Sequence, residues 1–209
     1  MFLETFAIII SYLLGSVSFS VLLAKLLKGI DIRQHGSGNA GATNTLRVLG
    51  KGPAILVLVL DVLKGVAAVW LGRWLGTEQE WLPGLCGLAA IMGHNWPLYF
   101  RFRGGKGIAT AIGVLASLCF LPALYAGIIA ILSIVFTKYV SLGSLIFVVL
   151  TPIFLMIGGY PWPIFWTSLL ICIFAIWRHR TNISKIIKGN ENKLGSGGKG
   201  KDKGGKRVV

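Results

Sequence analysis

Long uncharged apolar runs alternate along the whole chain with short polar, glycine-rich stretches, and that alternation predicts an all-α integral membrane protein. The apolar runs lie at about 2–24, 53–75, 81–93, 108–137, 140–158 and 162–177. A helix needs roughly 17–25 apolar residues to cross the hydrocarbon core, fewer where interfacial residues cap it. The run from Ile108 to Thr137 is uncharged over 30 residues, long for one crossing and short for two. Charge decides the count. A single span there would place the basic loops before it and the basic tail after it on opposite faces, against the positive-inside rule. A hairpin near Leu121-Pro122 keeps them together and gives seven transmembrane helices, with the N-terminus outside and the C-terminus cytoplasmic. The segments around 25–52, 94–107 and 138–141 and the tail from Arg178 then share the cytoplasmic face and hold 5, 3, 1 and 10 Lys/Arg, 19 of the chain's 21.

Composition strengthens this reading. Over 209 residues, 55% of side chains are hydrophobic and 13% charged, and the mean hydropathy is +0.75, outside the range of soluble domains. A net charge of +14 would suggest nucleic acid in a soluble protein; here it reports orientation in a membrane, and no nucleic-acid partner is expected. Cys86, Cys119 and Cys172 are odd in number and each lies in an apolar run, so neither a disulfide framework nor a metal site is indicated. Trp70, Trp74, Trp81, Trp96, Trp162 and Trp177 fall near span ends, as an interfacial belt requires. The N-terminus has Glu4 as its only early charge and lacks the basic stretch of a signal peptide. A membrane domain over 1–193 is followed by a Gly/Lys tail over 194–209 that cannot bury enough apolar surface to fold. Residues 195–209 carry five basic and one acidic side chain, so the rest of the chain still bears +10.

Three polar segments carry candidate chemistry. The first reads His35-Gly-Ser-Gly-Asn-Ala-Gly-Ala-Thr-Asn-Thr-Leu-Arg47. Its glycines permit the φ values by which successive backbone N–H groups converge on an oxyanion. Thr43 or Asn44 is placed to cap a following helix, and Arg47 to bring a bidentate charge to phosphate. It is neither a Walker A loop nor a GxGxxG turn after a strand. A flexible polar connector is the plainer alternative. The second segment, Gly93-His-Asn-Trp-Pro-Leu-Tyr-Phe-Arg-Phe-Arg-Gly-Gly-Lys-Gly107, opens a span with Gly104-Gly105-Lys106-Gly107, a lysine at a glycine-rich helix start and so a second anion site. Arg101 and Arg103 have headgroup contact as an equal alternative; His94 either caps its helix or shapes the site.

The third segment, Trp177-Arg-His-Arg-Thr-Asn-Ile-Ser-Lys185, puts His179 and Asn182 on one face if the helix continues past the last span. Ser141-Leu-Gly-Ser144 opens the sixth span. Arg178, Arg180, Lys185 and Lys188 by themselves read as positive-inside anchors. Asp61 and Lys64, three apart in the second span, are expected to form a buried ion pair that fixes helix packing, with a direct catalytic role the alternative. No cytoplasmic segment holds paired carboxylates, a metal-binding acid cluster or a Ser-His-Asp set, so the chemistry rests on positive charge and backbone donors, without metal or cofactor.

The three segments in their order, within a seven-span frame from about residue 5 to 193, strongly resemble the bacterial membrane glycerol-3-phosphate acyltransferases that use acyl phosphate as donor. The resemblance implies transfer of a fatty acyl group from acyl phosphate to the 1-hydroxyl of glycerol 3-phosphate. The products are lysophosphatidic acid and inorganic phosphate, at the first step of phospholipid synthesis in the bacterial inner membrane. The acyltransferases that take acyl-CoA or acyl carrier protein carry a His-x4-Asp pair; here the residues five after His35, His94 and His179 are Ala40, Tyr99 and Ser184, which disfavours a thioester donor. On this basis Ser37, Arg47, Lys106, His179 and Asn182 are expected to position glycerol 3-phosphate. Asn39, Thr43, Asn44 and the Gly104–Gly107 backbone would cradle the acyl-phosphate group, and Ser144 would complete the pocket. The departing phosphate serves as base, with His179 the alternative. A monomer among membrane lipids is expected to suffice. Two rival classes are an anion transporter, whose binding groups would lie near the membrane midplane, and a non-enzymatic lipid-binding scaffold.

Overall fold

The computed structural model describes residues 2–76 and 80–195; the part of the expected tail beyond residue 195 lies outside them. The described residues form helices α1 (Phe2–Gly15), α2 (Phe19–Lys28), α3 (Ala42–Leu49), α4 (Lys51–Leu75), α5 (Leu82–Asn95), α6 (Ile108–Leu118), α7 (Phe120–Thr137), α8 (Val140–Ile157), α9 (Trp162–Arg178) and α10 (Arg180–Ile187). No strand occurs among them.

Among the described residues, four stretches are long and apolar enough to cross a membrane: Phe2–Lys28, Lys51–Leu75, Phe120–Thr137 and Val140–Ile157. The pair α9 and α10, bent by 61° at its junction, makes a fifth if it is one span. With 14 and 11 residues, α5 and α6 reach only about 21 and 16 Å at 1.5 Å per residue, against a core of about 30 Å. Helix length alone therefore gives four or five crossings where the charge pattern gave seven. The long run splits as expected, but at Cys119, with Pro122 buried in the first turn of α7, where proline sacrifices no helical hydrogen bond.

Helices pack closely where small residues meet. A Cβ on Gly15 of α1 would strike the Ala90 backbone of α5, and one on Gly93 of α5 would strike Tyr12 O and Ser16 N of α1. Between α4 and α6 the exchange is equally reciprocal: Gly65 faces the Thr110 carbonyl, and Gly113 the Val62 carbonyl. Such contacts let backbones approach in lipid, where no hydrophobic force drives helices together. A core built on Val114, Leu115, Phe147, Val148, Leu155 and Ile171 joins α6, α8 and α9.

The first span is interrupted between Gly15 and Phe19, which frees backbone carbonyls inside the bundle. Lys64 meets this need: its Nζ donates to Gly15 O at 3.0 Å and Val17 O at 2.9 Å, while Asp61 balances its charge at 2.8 Å. The expected pair is present, with side chains 1% and 2% exposed. A third partner is His94, whose Nδ1 lies 3.0 Å from Lys64 Nζ. A buried charge in a span persists only with such compensation.

Candidate active site

Direct hydrogen bonds gather the polar segments at one end of the bundle. Arg33 Nη1 donates to Phe100 O at 2.8 Å and to Arg103 O at 3.3 Å, tying the first segment to the second, with Asp31 clamping the guanidinium at 2.7 Å. The second segment meets the third where Lys106 Nζ donates to Asn182 Oδ1. The third reaches the start of α8 through Glu191, whose Oε1 accepts from Asn182 Nδ2 at 2.8 Å and Ser141 Oγ at 3.0 Å. Leu194 N closes the ring on Lys138 O at 2.7 Å.

In the first segment, Gly36 and Gly38 adopt the left-handed φ values of 62° and 73° that the glycine pattern predicts. The amides they expose are largely consumed locally: Gly38 N bonds His35 O at 3.0 Å and Gly41 N bonds Asn39 O at 3.2 Å. The helix cap is Gly41, not Thr43 or Asn44. Asn44 has turned its amide back into the loop and is fully buried. Its Oδ1 accepts from Ser37 N at 2.7 Å, and its Nδ2 donates to Ile32 O at 3.1 Å and His35 O at 3.0 Å. It shapes the loop, and those bonds leave it little capacity for a phosphate oxygen. Among the described residues, the side chains of Ser37, Asn39, Thr43 and Arg47 have no protein hydrogen-bond partner.

The second segment lies against the C-terminal end of α5. A Cβ on Gly104 would meet His94 O and Pro97, and one on Gly105 would meet His94 Nε2 and Ala40 O. These glycines are required by packing; of the four expected cradle residues only Gly107 has a positive φ, at 79°. Gly107 caps α6, whose free N-terminal amides and dipole favour an anion. Lys106 stands at that position with its ammonium pKa lowered to about 8, chiefly by burial; Glu191 pulls it up, and Arg178, Lys185 and Arg47 push it down. Hydrogen bonds place Glu191 near Lys106 through Asn182, and Arg178 on the Gly104 and Gly105 carbonyls just before it.

His179 lies at the bend between α9 and α10, so the continuous helix expected through it is broken. It is 2% exposed, and its Nδ1 donates to Ala175 O at 2.8 Å. That bond leaves Nε2 as an acceptor. Burial first, then the Lys106 charge, lower its pKa to about 4. The imidazole is therefore neutral at pH 7 and accepts hydrogen bonds there. Ser144 is buried at the same end, but its hydroxyl donates to Val140 O one turn back at 2.9 Å; Ser141 is the serine bonded into the Glu191 network.

Sequence reasoning singled out neither Asp31, Arg33 nor Glu191, and it treated Arg178 as an anchor. A lone acid amid a basic segment was the available signal for Asp31 and Glu191. Arg178 is half-buried and donates from Nε to Gly105 O at 3.1 Å. Its guanidinium lies 5.5 Å from the Trp96 ring centroid. Trp96 in turn packs on Trp177 at 5.6 Å and Phe174 at 6.3 Å, a structural pillar at the span end and more than a belt residue.

Comparison with known proteins gives a consistent set of relatives. A family model described as glycerol-3-phosphate acyltransferase matches residues 5–189. A glycerol-3-phosphate acyltransferase of Shouchella clausii is 63% identical over 193 residues, covering 90% of this chain and 94% of the relative. The crystal structure of PlsY (YgiH), an integral membrane glycerol 3-phosphate acyltransferase, in its glycerol 3-phosphate form superposes with a TM-score of 0.87 at 38% identity, covering 92% of this chain and 96% of that one. The lysophosphatidic acid form gives a TM-score of 0.85 at the same identity, covering 92% and 95%.

Proposed function

The chain belongs to the glycerol-3-phosphate acyltransferase family as a multi-pass membrane enzyme, and from that premise we propose that it moves a fatty acyl group from acyl phosphate to the 1-hydroxyl of glycerol 3-phosphate. The observation that carries this reading is Lys106 at the glycine-rich start of α6, hydrogen-bonded to Asn182 and flanked by Arg178 on the Gly104 and Gly105 carbonyls, with a buried, neutral His179 three residues before Asn182 on the same segment. A cationic site with free backbone donors and, among the described residues, no paired carboxylates suits two substrates that each carry phosphate.

In this reading Arg47, Lys106 and Asn182 bind glycerol 3-phosphate, with Ser37 at the loop tip. The Lys106 and Gly107 amides of the Gly104–Gly107 segment, with Asn39 and Thr43, hold the phosphoryl group of the donor, since Gly105 N–H is already given to His94 O. The hydroxyl oxygen attacks the acyl carbonyl, the bond from carbonyl carbon to phosphoryl oxygen breaks, and phosphate leaves carrying the hydroxyl proton. His179 Nε2 accepts a hydrogen bond from the attacking hydroxyl and orients it; a pKa of about 4 makes it a poor proton acceptor at pH 7. Acyl phosphate is a mixed anhydride with a good leaving group, so holding the reactants in attack geometry supplies most of the acceleration.

The same reading has seven crossings with short α5 and α6, an outside N-terminus and an active site facing the cytoplasm of a bacterial inner membrane, worked by a monomer. The transporter alternative would seek its ligand groups mid-helix, but the charged pair within α4, Asp61 and Lys64, is engaged with itself, with His94 at the end of α5 and with the α1–α2 break. The test is an assay of the purified, detergent-solubilised protein. Lysophosphatidic acid and phosphate are expected in equal amounts from acyl phosphate and glycerol 3-phosphate, with none when acyl-CoA replaces acyl phosphate. Turnover with acyl-CoA alone would overturn the donor assignment.

A further inference from the structure

We propose that Arg178 is a positioning residue that presents the Lys106 amide to a substrate phosphoryl group, an inference that rests on the function proposed above. The side chain bridges two successive carbonyls: Nε and Nη2 donate to Gly105 O, the former at 3.1 Å, and Nη2 also approaches Gly104 O at 3.4 Å. A trans peptide points its N–H opposite to its C=O. Holding Gly104 O toward Arg178 therefore directs Gly105 N–H the other way, where it donates to His94 O at 3.1 Å. Holding Gly105 O toward Arg178 directs Lys106 N–H away from the guanidinium in the same manner. That amide has no protein partner among the described residues, and it is followed by Gly107, the cap of α6.

Three features suit Arg178 to this work. Its planar fork reaches two acceptors at once, which a lysine cannot do. The Trp96 face 5.5 Å away fixes the guanidinium plane, and Trp96 is itself held by Trp177 and Phe174. The absence of side chains at Gly104 and Gly105 lets the loop lie against α5, so the guanidinium and the α5 terminus grip the strand from opposite sides. The neighbouring Arg180 does something different: it is exposed, donates to Trp177 O at 3.1 Å and stacks on the Trp177 ring, as a membrane-surface anchor would.

The experiment compares Arg178→Lys, Arg178→Ala and Arg180→Lys in the full-length, detergent-solubilised enzyme, varying acyl phosphate and glycerol 3-phosphate independently. Arg178→Lys keeps the charge and loses the fork, so KM for at least one phosphate substrate is expected to rise by about tenfold or more, as in Arg178→Ala. Millimolar methylguanidinium is expected to restore part of the loss in Arg178→Ala, and Arg180→Lys to behave as wild type. Wild-type KM values in Arg178→Lys would overturn the proposal, since charge alone would then suffice. So would a folded Arg178→Ala that methylguanidinium does not restore, or failure of both Arg178 variants to fold, which would make the contact purely structural. Wild-type protein that transfers nothing from acyl phosphate defeats the underlying function and this inference with it; active wild type beside an unaffected Arg178→Lys defeats this inference alone.

Discussion

Replacing Asn44 with alanine tests whether that side chain shapes the first loop or touches substrate. The substitution removes three hydrogen bonds, from Ser37 N to Oδ1 and from Nδ2 to Ile32 O and His35 O. At about 1 kcal/mol net for each, the closed loop loses about 3 kcal/mol. Because about 1.4 kcal/mol is tenfold in an equilibrium constant, local opening becomes about 100-fold more frequent. The effect is local, since Asn44 ties residues 32–37 to α3. Gly38 N, bonded to His35 O at 3.0 Å within this loop, is the reporter. Hydrogen exchange with mass analysis of a peptide spanning 35–44 should show Gly38 and Gly41 losing protection, while peptides from α4 and α8 exchange as before. KM for a phosphate substrate should rise, because Ser37 and Arg47 are no longer held in register. Unchanged exchange in the loop together with a raised KM would refute the reasoning and make Asn44 a direct ligand.

The pH dependence carries a defined sign. Lys106, with its pKa lowered to about 8, is charged below that value and loses its charge as pH rises through it, so affinity for the phosphate substrate should fall between pH 7 and 9. Glu191→Gln removes the charge that raises Lys106, and the fall should move to lower pH; a limb unmoved by Glu191→Gln would contradict the pairing. His179, with its pKa near 4, should contribute no titration between pH 5 and 7, which imidazole NMR can check. In α4, Lys64→Met strands Asp61, the buried Gly15 carbonyl and the partly buried Val17 carbonyl and should cost about 3–5 kcal/mol, seen as a lower melting temperature in detergent; pairing it with Asp61→Asn should recover part of the loss. A Lys64→Met variant as stable as wild type would show that the cluster does not brace the α1–α2 break.

Much of this architecture was legible because the membrane imposes simple rules. Positive charge placed the segments holding Arg47, Lys106 and His179 at one end, and direct hydrogen bonds join them there. Spacing found the Asp61–Lys64 pair, but not its reason, since the interruption after Gly15 falls inside an unbroken apolar run and follows from tertiary packing. Hydropathy also could not place the break at Cys119 two residues ahead of the Leu121-Pro122 signal, or show that α6 ends after 11 residues. In the site, residue type identified phosphate chemistry but not the division of labour. Asn44 spends its amide on the first loop, and Gly104 and Gly105 are packed against His94, Pro97 and Ala40, constraints that residue type does not reveal. Arg178 looked like an anchor because sequence does not reveal on which side of a helix end a guanidinium lies.

The central claim is that the site works by holding two phosphorylated reactants in register, with no protein group acting as base. Turnover of His179→Ala at saturating acyl phosphate and glycerol 3-phosphate tests it most directly. A raised KM with residual turnover at saturation is expected, since the departing phosphate still takes the proton. Complete loss of turnover with both substrates bound as tightly as in the wild type would contradict it and assign the proton transfer to His179.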